Sequence, residues 1–193
     1  MKQKEGYLVE IESIKKKVLE DVDPELKRKK AREMRKQRII VSIQFLGLIA
    51  VIILLFYMFM GISTVDGDSM YPTLRDKNVV VYKRMNSEFR QGDIVALKQP
   101  DGTEYVKRVI AVAGDTVNIQ GGEVYVNGEK VEIKDAIGAT ERKDGEVTYP
   151  LTVGDKEVFV LGDNREMSKD SREFGLVKTD DIKGKIIWFL GRP

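Results

Sequence analysis

EYVKRVIAVAGDTVNIQGGEVYVNGEKVEI, residues 104–133, decides the fold. Val, Ile and Tyr dominate it, polar residues alternate with them, and Gly, Asp and Asn break it at short intervals. It reads as four strands, EYVKRVIAV (104–112), TVNI (116–119), EVYV (123–126) and KVEI (130–133). Asn127-Gly128 between the last two is a two-residue hairpin signal, because both residues accept positive φ. Similar runs lie on either side: NVVVYKR (78–84), DIVALK (93–98), EVFVLGD (157–163) and KIIWFL (185–190). No fixed-period repeat occurs. The expectation is an all-β domain in which residues 134–156 form a polar insertion or lid.

Upstream the pattern changes. Residues 39–62, IIVSIQFLGLIAVIILLFYMFMGI, carry no charge. A helix of that length crosses a hydrocarbon core of about 30 Å. A buried core helix would be unusual in so small a domain. A cleaved signal peptide would have a shorter apolar run and a small-residue cleavage site, which ISTVDGDSM does not offer. The segment therefore reads as an uncleaved anchor. PELKRKKAREMRKQR (24–38) precedes it, with eight basic and two acidic residues. Such a flank stays on the cytoplasmic side and attracts anionic lipid. A nucleic-acid patch fits it less well, since no aromatic residue interleaves with the basic ones. In YLVEIESIKKKVLED (7–21), Leu8, Ile11, Ile14 and Val18 fall at helical spacing, and Asp23-Pro24 restarts a helix. Three parts result: a cytoplasmic basic segment (1–38), a transmembrane anchor (39–62) and an extracytoplasmic β-rich domain (63–193).

The composition excludes some chemistry. The 193 residues suffice for one modest domain and an anchor, and the net charge of +2 says little about partners. There is no cysteine, hence no disulfide and no thiolate nucleophile. There is also no histidine, which rules out a Ser-His-Asp triad and the common His-based zinc sites. A hydrolase built from this chain must take its base from Lys, Asp, Glu or Tyr.

Three clusters could carry such chemistry. GDSMYPTL (67–74) sets Ser69 between Gly67, which permits unusual backbone angles, and Pro72, which stiffens the turn. A solvated turn serine gives the same pattern, and the second glycine of a G-x-S-x-G elbow is missing. Lys107 lies in the strand quoted first, on one face with Tyr105 and Val109. Such company dehydrates an amine and favours its neutral form, while an edge-strand lysine reaching water remains the other reading. LGDNREMSKDSREFG (161–175) follows an apolar strand and is dense in Asp, Asn, Ser and Arg. Asp163, Asn164 and Asp170 could form a calcium-like loop, but Arg165 and Arg172 favour Asp–Arg pairing that ties the loop internally.

Together the clusters resemble the type I signal peptidases, or leader peptidases, most closely the Gram-positive-like bacterial members with one anchor. GDSMYPTL is similar to the family's serine box, RQGDIVALK (90–98) to a second box, YVKRVIAVAGD (105–115) to the lysine box and GDNREMSKDSREFG (162–175) to the final box. The resemblance covers residues 63–190 plus the anchor. It implies a mainly β protein: one N-terminal transmembrane helix, then an all-β signal-peptidase-like catalytic core of coiled antiparallel sheets. It also implies a serine–lysine endopeptidase that removes signal peptides from exported preproteins at the outer membrane face. Ser69 matches the nucleophile and Lys107 the general base. Ser168 matches a serine that orients the lysine amine, and Asp170 and Arg172 match a pair that shapes the site. Asp163, Asn164 and Arg165 belong to the same box in support. Val65, Met70, Leu74, Tyr105 and Val106 fall where the family lines shallow pockets for small side chains.

Some members carry a serine two residues before the nucleophile, whose hydroxyl donates to the oxyanion. Gly67 stands there in this chain, so the second oxyanion donor is unassigned. No metal or organic cofactor is indicated. The expected partners are signal peptides of preproteins and membrane lipid near the translocation machinery, with no nucleic acid. The expected location is the cell membrane, single-pass, N-terminus inside. A tethered binding module that keeps the serine and lysine as relics is the alternative of a different class.

Overall fold

A computed structural model describes residues 10–18, 23–84, 88–143 and 147–191. Leu8 of the expected N-terminal helix lies outside the described residues; residues 10–18 form a helix, α1. The chain divides into two units, residues 1–55 and 56–193.

Helix α2 runs Pro24–Phe59. Asp23 starts it: its carboxylate accepts from the backbone N–H of Glu25 at 2.8 Å, and Pro24 takes the first helical position, where no N–H is needed. The charge-free part of the helix, residues 39–59, spans about 31 Å at 1.5 Å per residue. By length and composition the helix can cross a membrane, and none of its residues is buried. It stops at Phe59, and the last residues of the apolar run are already strand β1 (Met60–Thr64).

The second unit is β-rich. Seven strands form one antiparallel sheet in the order β1-β2-β11-β3-β4-β9-β10. They are β1, β2 (Val79–Lys83), β3 (Ile94–Lys98), β4 (Glu104–Val112), β9 (Glu157–Leu161), β10 (Val177–Lys178) and β11 (Ile182–Leu190). The other four make a smaller sheet, β7-β6-β5-β8: β5 (Thr116–Gln120), β6 (Glu123–Val126), β7 (Glu129–Lys130) and β8 (Leu151–Thr152). The Asn127-Gly128 turn joins β6 to β7 with φ of 54° and 85°, as a hairpin of that composition requires. β7 is shorter than the expected KVEI strand. Val131 and Ile133 turn inward and pack against the core beneath the small sheet.

β4 joins two cores. Its register with β9 shifts between Val109 and Ala111, a bulge that bends the strand. Val109 packs with Val95, Leu97 and Val160 on one side, whereas Ile110 and Ala111 join Val117, Ile119 and Phe159 beneath the small sheet. A third cluster of Val65, Met70, Leu74 and Val80 underlies the serine loop. The described residues of 134–156 are not one loose lid. They contribute β8, and residues 137–143 run over the loop that follows β9, bridging to it between Ile137 and Asn164.

Candidate active site

The sequence sets Ser69 in a turn and Lys107 in mid-strand, and the fold brings them together. Lys107 Nζ donates to Ser69 Oγ at 2.7 Å and to the carbonyl of Val106 at 3.1 Å. Gly67 makes the turn possible: its φ is 81°, a region where a side chain is strained, and its N–H donates to Asp76 at 2.8 Å. A serine at 67 would carry that strain, about 1 kcal/mol or more. The carbonyl of Ser69 accepts from the N–H of Asn164 at 3.1 Å, which ties the serine turn to the loop after β9.

Lys107 is 1% exposed. Burial pulls its pKa down to about 8; Asp170 and Asp163 push it back up, and Arg172 and Lys143 lower it further. Desolvation outweighs the two carboxylates because both are already engaged. Asp163 accepts from Arg108 Nε at 2.7 Å, from Arg108 Nη2 at 2.6 Å and from the Thr73 hydroxyl at 2.5 Å. Asp170 accepts from Arg172 Nε at 2.8 Å, from Arg172 Nη2 at 2.9 Å and from the Gly162 N–H at 3.0 Å. Each carboxylate thus holds a bidentate arginine, the geometry that pairs these groups most strongly. The Tyr105 ring lies 5.2 Å from the lysine amine and stacks on Phe174.

The loop after β9 carries the rest. Asp170 caps a single helical turn, α3 (Ser171–Phe174), and Ser171 Oγ accepts from the N–H of Val160 at 2.9 Å. Arg165 donates to Thr140, and Arg172 also donates to the carbonyl of Arg165. Of the Asp–Arg pairing expected within the loop, Asp170–Arg172 is internal, whereas Asp163 is held by Arg108 of β4 and Arg165 by Thr140 of the neighbouring segment. Among the described residues no group of three or more Asp, Glu, His or Cys could hold a metal ion.

Ser168 is buried, but its Oγ has no hydrogen-bond partner among the described residues, so the expected bond to the Lys107 amine is not formed. The hydroxyl nonetheless faces the dyad's surroundings: a side chain at Gly162 would collide with Ser168 Oγ and with the carbonyl of Ser69. Glycine is therefore required at 162 by close approach.

A cleft of about 520 Å³ opens beside Ser69, lined by Val65, Ala96, Tyr105 and Val106 among others. Of the five expected pocket residues, Val65, Tyr105 and Val106 line it. Met70 and Leu74 are wholly buried instead, in the cluster beneath the serine loop. Thr73, Arg108, Ser171 and Lys143 belong to the network and carry no mark in the sequence reading. Arg108 alone had a signal: it is adjacent to Lys107 on a strand, so it points to the opposite face and holds Asp163 there.

A serine hydroxyl against a buried lysine, in a chain without histidine, is an arrangement that suits a serine-type hydrolase. A family model described as "Signal peptidase, peptidase S26" matches residues 36–190, and the chain belongs to that family. It is 39% identical over 132 residues to signal peptidase I S of Bacillus subtilis (strain 168), covering 62% of this chain and 71% of that protein. It is 38% identical over 142 residues to signal peptidase IB of Staphylococcus aureus (strain COL), covering 64% and 73%. A solved signal peptidase I from Enterococcus faecalis V583 aligns at 30% identity, over 53% of this chain and 100% of that one, with a TM-score of 0.45.

Proposed function

We propose that this protein is a membrane-anchored endopeptidase that removes N-terminal signal peptides from exported proteins at the outer face of the cytoplasmic membrane, using Ser69 and Lys107. The observation that carries the reading is the 2.7 Å contact between Ser69 Oγ and a buried amine whose pKa lies near 8. Neutral Lys107 takes the proton from Ser69, whose Oγ attacks the scissile carbonyl. The backbone N–H of Ser69 donates to the oxyanion. Lys107 then gives its proton to the leaving amine, and the acyl group stays on Ser69. Water next loses a proton to Lys107 and attacks the ester, which frees the carboxyl product and restores the serine hydroxyl. The hydrogen bonds of the Lys107 amine to Ser69 Oγ and to the Val106 carbonyl hold it in this geometry.

Strand pairing supports the way a signal peptide docks. β1 is an outer strand, and β4 pairs with β9 only from Arg108 onward. Residues 104–107 therefore have one edge without a strand partner among the described residues, and residues 104–106 and 63–66 line the cleft. An extended substrate adds a strand there through backbone hydrogen bonds, which ignore its sequence, while small pockets select Ala-like side chains. Val65→Ala enlarges one wall and is expected to broaden the choice of cleavage site, read as new product termini by mass spectrometry. An unchanged product pattern counts against Val65 as a pocket residue.

Membrane placement rests on α2 and its basic flank, with residues 1–38 inside and residues 63–193 outside. The domain contributes its own apolar surface: Ile62 and Ile187, Trp188, Phe189 and Leu190 at the end of β11 are all exposed. Such a surface suits contact with lipid. The test of the function is incubation of the detergent-solubilised full chain with a preprotein bearing an Ala-x-Ala site. A cut after the second alanine is expected. Absence of any cut by the folded protein removes the reading and leaves the tethered binding module or a peptidase specialised for one class of exported protein.

A further inference from the structure

The serine turn and the loop after β9 meet through their backbones. Asn164 N–H donates to the carbonyl of Ser69 at 3.1 Å, and a side chain at Gly162 would collide with that same carbonyl. The peptide group is planar, so a bond to this carbonyl sets the peptide that follows Ser69 and the direction in which Oγ leaves the turn. Asn164 is held from outside its own loop, by residues 137–143, which cross the loop as a strap. Ile137 N–H donates to the carbonyl of Asp163 at 2.8 Å, and Arg165 N–H donates to the carbonyl of Ile137 at 3.0 Å. Asn164 is thus bracketed by two bonds to one strap residue. The strap is tied in turn to the small sheet: Thr140 N–H donates to the carbonyl of Gly122 at 2.7 Å, and Arg142 Nε to that of Ile119 at 2.7 Å.

Arg165 follows Asn164, and only 3% of it is exposed. Among the described residues its Nη1 donates to the Thr140 hydroxyl, while its Nε has no partner. Thr140 is itself 4% exposed. A guanidinium has five N–H donors and no acceptor, and burying it without acceptors is costly. We propose that Thr140 is a positioning residue of the peptidase site: its hydroxyl keeps Arg165 buried, and through Arg165 it keeps the Asn164 N–H on the carbonyl of Ser69. The inference rests on the reading of Ser69 as nucleophile. Without this acceptor Arg165 turns toward water and draws Asn164 off the Ser69 carbonyl. Arg172 still holds the carbonyl of Arg165, so the loop loosens and does not unfold. The serine hydroxyl then spends less time in its 2.7 Å contact with Lys107. Substrate binding is spared, because neither Thr140 nor Arg165 lines the cleft.

The experiment measures kcat and KM on an Ala-x-Ala preprotein with the full chain in detergent. The proteins are wild type, Thr140→Val, Thr140→Ala, Thr140→Ser, Arg165→Leu and the double variant of Thr140→Val with Arg165→Leu. Near-ultraviolet circular dichroism checks that each is folded. Thr140→Val keeps the shape of threonine without the acceptor, and its kcat is expected to fall about tenfold with KM within about twofold of wild type. Thr140→Ala lacks the acceptor too and behaves alike, so either one folded suffices. Thr140→Ser keeps the acceptor and stays within about twofold of wild type. Arg165→Leu has no guanidinium to hold, and adding Thr140→Val to it lowers kcat by less than about twofold more. An unchanged kcat in Val and Ala, a loss carried by KM, an equal loss in Ser, or an undiminished loss on top of Arg165→Leu overturns this inference alone. A wild type that does not cut, or that cuts as well after Ser69→Ala, overturns the reading of Ser69 and this inference with it.

Discussion

Replacing Lys107 by Met is expected to lower signal-peptide cleavage by at least about 1,000-fold and to leave the β domain folded. Met follows the path of the lysine stem without an amine, so the shape of the site survives while the proton acceptor is lost. Ser69→Ala is expected to fall as far, because nucleophile and base act as one unit and either loss disables it. Lys107→Arg separates a base from a charge. A guanidinium stays protonated at any working pH and cannot accept the serine proton, so Arg is expected to be as inactive as Met. Activity retained in Arg but not in Met would assign Lys107 an electrostatic role instead. Product formation by gel shift or mass spectrometry reads all three.

The same substitution is expected to stabilise the protein. Lys107 titrates near 8 in the fold and near 10.5 when unfolded. Between those values the unfolded chain binds more protons than the native one, so native stability rises with pH across that window. Below pH 8 the whole penalty is present, about 3 kcal/mol for a shift of this size. Lys107→Met removes it, less what the lysine's hydrogen bonds contribute. At pH 6–7 the variant is therefore expected to melt several degrees above wild type. The gap closes as the pH rises through 8 toward 10.5. Thermal melts followed through Trp188, the chain's one tryptophan, measure this at each pH. A variant less stable than wild type at pH 6 would mean that the buried amine is not held at an energetic cost. A site that is stabler when disabled is one whose chemistry demands a strained group.

Much of this was legible in the sequence where local rules decide. The strands of 104–126 and the Asn127-Gly128 turn follow from alternation and turn chemistry, and the fold has them. β1 was not legible, because Met60, Gly61 and Ile62 continue the apolar run of the helix and periodicity cannot separate a strand from it. What ends the helix is tertiary. β1 pairs with β2, and Gly61 lies so close to the Tyr82 ring that any side chain would collide with it. A chain without histidine made Ser69 and Lys107 candidates, but a solvated turn serine and an edge-strand lysine read the same way locally, and it was the resemblance to the signal peptidases that singled out the pair. Alternation put Lys107 on one face with Tyr105 and Val109, and the face with Val109 is indeed buried. Met70 and Leu74 read as pocket wall, yet they are core. Ser69, next to Met70, reaches the cleft, and nothing local tells which side of the loop faces in. Thr73, Ser171 and Lys143 were silent for another reason. Thr73 and Lys143 work through partners far away in sequence, and Ser171 works by satisfying one backbone N–H of β9.

The central claim is that a lysine whose pKa burial lowers to about 8 activates the serine in its neutral form. The pH–rate profile of wild-type cleavage between pH 5 and 10 tests it most directly. With a lysine pKa of about 8, kcat/KM should rise through an inflection near that value, with roughly a tenth of the plateau at pH 7. A rate that is flat down to pH 5, or an inflection that persists in Lys107→Met, would contradict it.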